Sequence, residues 1–167
     1  HVPPYLGSNG RAQFRIYPEW KKDEIYFHST TKLAPALTLK SRLWYDTFDN
    51  TLDSYDDFTY STQKGKQGWT SIYNDYALGA NANLVWATSD SNDLKVGANN
   101  KYDVHRSHNV GEPVAHISEG IYSFAVEDEA RLSPQLSATA SVGWFARQGY
   151  KIEEYNAKRG LAEMPNS

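Results

Sequence analysis

Three histidines stand near one another in the chain, at His105, His108 and His116, and clustered imidazoles are where a metal centre is sought first. No carboxylate lies at a helical or HExxH spacing to complete a ligand set, so the sequence predicts no metal. Acyl transfer needs a serine beside a base, and Ser107-His108 and Ser118-Glu119 are the pairs that offer one. Neither sits in a nucleophile elbow, so the chain is expected to be no enzyme and to hold no cofactor. Binding is the remaining chemistry. The stretch Asp49 to Gly68 carries Tyr55, Asp56, Asp57 and Tyr60 just before Trp69, and exposed aromatics beside polar groups suit recognition of a ligand.

The elements that must position these residues are strands. From Tyr76 to His105 the sequence alternates around one polar turn at Ser89 to Asn92. Tyr76, Leu78, Ala80, Ala82, Leu84 and Trp86 share a face on the first arm, and Leu94, Val96, Ala98 and Tyr102 on the second. A period of two means β-strand, and a cluster of Ser, Asp and Asn means a tight reversal. The same pattern predicts six long strands, at about 23–33, 36–48, 69–88, 93–106, 116–132 and 135–147, in an antiparallel up-and-down meander. Residues 1–10 read as loop, and Pro18 argues against a central strand over 11–22.

Short reversals at Ala34-Pro35, Ser89 to Asn92 and Ser133-Pro134 alternate with long connections at about 49–68, 107–115 and 148–167. Short turns at one rim, long loops at the other, and arms of about ten residues are the pattern of a transmembrane β-barrel. About ten residues above the short turns stand Ile25 or Phe27, Tyr45, Tyr76, Tyr102, Tyr122 and Trp144, an aromatic girdle at the outer interface, with Trp86 near the inner one. Ser29, Ser41, Asn100 and Asp128 interrupt this lipid-facing set. The opposite face carries Lys40, Arg42, Lys95, Lys101, Glu127, Glu129 and Arg131, which are expected to face the lumen and to pair with one another across neighbouring strands.

Composition fits this reading. Of 167 residues, 40% are hydrophobic and 22% charged, as in a folded chain, and the 14% aromatic share is dominated by twelve Tyr and five Trp. A net charge of −3 without a Lys/Arg cluster argues against nucleic acid as a partner. There is no cysteine for a disulfide framework and no apolar run of about 18 residues for a spanning helix. His1 to Pro4 lacks the basic start and apolar core of a secretion signal, so the chain reads as a mature form or a fragment.

The segments FRIYPEWKKDEIYFHSTTKL (Phe14 to Leu33), LKVGANNKYDVHRSH (Leu94 to His108), YSFAVEDEARLSPQLSATASVGW (Tyr122 to Trp144) and the tail LAEMPNS together resemble the TonB-dependent outer-membrane receptors of Gram-negative bacteria. The resemblance implies a 22-stranded barrel closed by an N-terminal plug, taking up siderophore-iron, haem, cobalamin or oligosaccharide with energy delivered through TonB. The chain departs from that pattern. It has about six strands, no plug or TonB box before them, and ends on Ser167 rather than an aromatic. It is therefore expected to be an internal barrel segment whose partners are outer-membrane lipid and the remaining strands and plug of the same receptor. The alternatives are a soluble β-rich carbohydrate- or ligand-binding module and, after it, an outer-membrane barrel enzyme.

Overall fold

The computed structural model describes residues 2–6 and 12–165. The chain is all-β. Its strands are β1 (Val2–Leu6), β2 (Ala12–Ala34), β3 (Leu37–Tyr55), β4 (Trp69–Ser89), β5 (Asn92–Asn109), β6 (Ala115–Ser133), β7 (Leu136–Asn156) and β8 (Gly160–Glu163). They lie in the sheet in chain order, each antiparallel to the next. The six long strands β2 to β7 form the predicted up-and-down meander; the turn within Ser89 to Asn92 falls as expected, and the other two lie one residue on, at Pro35-Ala36 and Pro134-Gln135.

Several boundaries move outward. β2 begins at Ala12 rather than near 23 and runs through Pro18, because the register shifts between Ile16 and Glu19 and β1 pairs only with Ala12 to Arg15, before that point. Proline at an irregular, one-sided position loses no ladder bond. β3 runs on to Tyr55, which shortens the loop expected at 49–68 to 56–68, and β5 and β6 shorten the one at 107–115 to 110–114. β7 continues to Asn156 and turns back into β8, where the sequence suggested loop from 148 onward. In β2 the register shift interrupts the alternation, and the extensions of β3 and β7 are rich in polar residues on both faces, so neither carries an amphipathic signal. Val2–Leu6 is a strand where loop was expected, while the rest of the 1–10 expectation lies outside the described residues.

The pairing keeps each face in register. The row from Leu37 runs through Trp86 and Leu94 to Asp128, and the row from Tyr45 through Leu78 and Tyr102 to Gly120. β6 continues past Asp128 to Ser133, so the short-turn rim slants across the rows. The aromatic line slants with it, since Tyr122 and Trp144 lie on the turn side of the Tyr45 row. Strands staggered in this sense are tilted to the axis of any barrel they line.

Very little of the sheet is covered. Among the described residues the buried apolar side chains are Leu52, Ala77 and Val104, whereas Ile25, Phe27, Leu43, Phe124, Val142 and Trp144 are among the many large ones left exposed.

Candidate functional site

Because side chains alternate, the ladder fixes which residues share a face. Tyr45, Tyr76, Trp86, Tyr102, Tyr122 and Trp144 all lie on one face, together with the alanines and leucines between them. Neighbouring aromatics touch: the rings of Tyr45 and Tyr76 are 6.2 Å apart, those of Tyr102 and Tyr150 5.7 Å, and the hydroxyls of Tyr122 and Tyr150 are hydrogen-bonded. Gly120 makes room for that hydroxyl pair, since a Cβ there would come within 2.6 Å of the Tyr150 oxygen.

Lys40, Arg42, Lys95, Lys101, Glu127, Glu129 and Arg131 lie on the opposite face. Most of them are paired there. Lys95 Nζ donates to Glu127 at 2.9 Å and to Glu129 at 2.7 Å, Arg131 reaches Asp93 at 2.9 Å, Arg42 reaches Glu24 at 3.0 Å and Lys101 reaches Asp103 at 2.7 Å. Arg147 completes the pattern with Glu119. Each pair is partly solvated and contributes little to stability. Its effect is chiefly to cancel charge locally.

The histidines do not converge. His105 Nδ1 sits 2.9 Å from Asp75, and His116 Nδ1 sits 3.1 Å from Glu153, which Lys151 holds below the usual carboxylate range by a hydrogen bond. No group of three metal-ligating side chains occurs among the described residues. Ser118 is buried and, as strand neighbours, it and Glu119 point to opposite faces. The same alternation separates Ser107 from His108.

The loop at 56–68 is built around Asp56. Its carboxylate accepts hydrogen bonds from Thr62 Oγ1 (3.1 Å), the Lys64 amide (2.8 Å) and the Gly65 amide (2.9 Å). Asp56 is thus the organiser of the loop and not an open ligand group, which the sequence could not distinguish. Asp57 is held below its ordinary value by hydrogen bonds from the Thr59 hydroxyl and amide. Tyr60, at a positive φ of 53°, packs edge-on to Phe14 and Tyr55, and Arg15 lies 5.9 Å from the Trp69 ring. The expected result of Asp56→Ala is loss of order confined to this loop. Amide exchange at Lys64 and Gly65 should quicken by roughly tenfold or more, an opening of about 1–2 kcal/mol, with the β4–β5 amides unchanged.

Sequence reasoning missed a second aromatic set, Trp20, Tyr26, Trp44 and Phe48, on the ion-paired face. Tyr26 is paired with Trp44 across β2 and β3, and Arg42 Cζ lies 5.5 Å and 5.3 Å from their two rings. Trp20 packs edge-on to Phe48 at 5.0 Å and to Tyr17 at 5.2 Å. Alternation alone puts Trp44 with Arg42, so the signal was there. A hollow of about 380 Å³ adjoins this set, lined by Asp46, Phe48, Asp75, Asp103, His105 and Glu119 among others.

No family model, curated protein or solved structure matches the chain.

Proposed function

We propose that the chain is part of the wall of a transmembrane β-barrel in the bacterial outer membrane, a segment of a TonB-dependent receptor that takes up a scarce ligand. The observation that carries this reading is the division of charge between the two faces. From Ile25, Tyr45, Tyr76, Tyr102, Tyr122 and Trp144 down to the short turns, Asp128 is the one charged residue on the apolar face. Asp128 lies between Tyr122 and the turn after Ser133, where it is the single charged interruption of the apolar band. The opposite face holds ion pairs of Arg42 with Glu24, Lys95 with Glu127 and Glu129, Lys101 with Asp103 and Arg131 with Asp93, as a watered lumen permits.

The exposed apolar face also weighs against a soluble sandwich, the second reading, in which another layer of the same fold would cover it. Lipid covers it without such a layer. The end strands β1 and β8 leave backbone groups that lipid cannot satisfy, so the remaining strands of the receptor complete the ring. The plug and its contact with TonB belong to that remainder.

Topology tests the proposal. In intact cells, a tag or protease site placed within 56–68 is expected to be accessible from outside, and one placed at Ser89 to Asn92 protected until the envelope is opened. The reverse pattern would overturn the orientation, and equal accessibility would overturn membrane insertion.

A further inference from the structure

We propose that the apolar face carries, beside its tyrosines on β5, β6 and β7, a site for the phosphate headgroup of an anionic lipid. The inference rests on the reading of that face as the lipid-facing one, and it names the class of lipid and the place that holds it. Arg106 is the central residue. It pairs with His116 and stands two residues beyond Val104, which pairs with Tyr76, so its side chain belongs to the apolar face. The guanidinium lies 5.6 Å from the Tyr76 ring, and its Nε donates to the Asn74 carbonyl at 2.7 Å. Among the described residues it has no carboxylate partner, and its two terminal nitrogens make no hydrogen bond. On the opposite face Arg42, Lys95, Lys101 and Arg131 are each held by a carboxylate. A half-buried guanidinium left with open donors is suited to a phosphate.

A second cation stands near it. Lys151 pairs with Ser118, and Ser118 with Val104, which places it two strands across from Arg106 and one step nearer the tyrosines. At about 4.8 Å between strands and about 3.3 Å per residue, the two Cα atoms are roughly 12 Å apart. Two long side chains can close that gap around one phosphate. Glu153 accepts from Lys151 Nζ at 2.7 Å and from the His116 amide at 3.0 Å. Its side chain is only 12% exposed, whereas those of Lys151 and His116 are 43% and 40% exposed, so the carboxylate positions the two and leaves their outer sides open.

The surface beside these cations selects an amphiphile. The rings of Tyr102 and Tyr150 adjoin the site with Tyr122, and exposed Phe124, Val142 and Trp144 follow toward the short turns. A free phosphate would meet the cations and leave this apolar run uncovered. A lipid meets both, with tyrosine hydroxyls between them to bond its ester or phosphate oxygens. The charge is local as well. On the same face of β2 and β3, Glu19, Asp23 and Asp49 outnumber Lys21, which is paired with Asp23 at 2.6 Å. That side repels the headgroup that the β5 to β7 side attracts.

The experiment places the full-length protein in phosphatidylcholine bilayers, with spin-labelled phosphatidic acid and spin-labelled phosphatidylcholine as probes. The immobilised fraction of each label gives their relative association with the protein. Phosphatidic acid is expected to be preferred by about fivefold or more. Arg106→Gln or Lys151→Gln alone should lower the preference, and the two together should abolish it. Lys21→Gln on β2 should change nothing. Unchanged immobilisation of phosphatidylcholine shows that each variant is still folded and inserted. The inference is overturned if phosphatidic acid is not preferred, if the double variant keeps the preference, or if Lys21→Gln removes it equally. Displacement of the label by inorganic phosphate as readily as by unlabelled phosphatidic acid would also overturn it, since the site would then be one for the free ion. If neither label is immobilised, the barrel reading falls instead.

Discussion

Ala80→Arg is expected to lower the folding stability of the full-length protein in lipid by roughly 2–4 kcal/mol, and Asn81→Arg by far less. The two residues are chain neighbours on opposite faces of β4. Ala80 pairs with Leu43 and Asn100 on the apolar face, while Asn81 pairs with Arg42 and Asn99 on the other. At about 3.3 Å per residue and a tilt of about 45°, Ala80 stands about 14 Å above Trp86, near the middle of a bilayer. In the proposed barrel wall a guanidinium there would have no water within reach, whereas at position 81 it would join a hydrated face. Denaturant unfolding of both variants in vesicles gives the comparison. Equal losses, or the larger loss at position 81, would mean that the facing of the whole hairpin is wrong.

The second large effect is expected at a glycine. Gly79→Ala should destabilise by about 1–3 kcal/mol and change the near-ultraviolet dichroism of Trp44, because the added methyl occupies the space of the indole ring. The ring cannot lift away without leaving Arg42, which stacks on it at 5.3 Å. Gly97→Ala is the matched control. A Cβ there meets only the Asn83 Oδ1 at 2.7 Å, the tip of a side chain that can swing aside. Alanine also stiffens the unfolded chain, so that variant should be neutral or up to about 1 kcal/mol more stable. If both alanines behave alike, Trp44 does not lie over Gly79 as described.

The hairpin from Trp69 to Asn109 was the most legible part of the sequence, and the reason is physical. From Tyr76 to Tyr102 one face is apolar but for Asn100, while Asn81, Asn83, Lys95, Asn99 and Lys101 mark the other around a single polar turn. The upper half of β2 was hidden because the shift between Ile16 and Glu19 exchanges the faces part-way along, so that Phe14 and Trp20 seem to follow one period but do not share a side. The upper ends of β3 and β7 were hidden by polar residues on both faces. Among site residues, the aromatic line and the charged set could be read from alternation alone. The role of Asp56 could not, because its three donors lie six to nine residues onward in a loop without a period. Nor could the support that Gly79 gives Trp44, which exists only across the ladder.

That every strand pairs with its neighbour in the chain also limits how such a protein can change length. Deleting one strand would send each later connection to the other rim, carrying polar loops to the side of the short turns and inverting which end of each following strand bears the aromatics. Deleting or duplicating two consecutive strands restores both. The hairpin, not the strand or the residue, is therefore the unit in which this sheet can be lengthened, shortened or grafted, and chimeras joined within the turns at Pro35-Ala36, Asp90-Ser91 or Pro134-Gln135 are the ones expected to keep every loop on its own side.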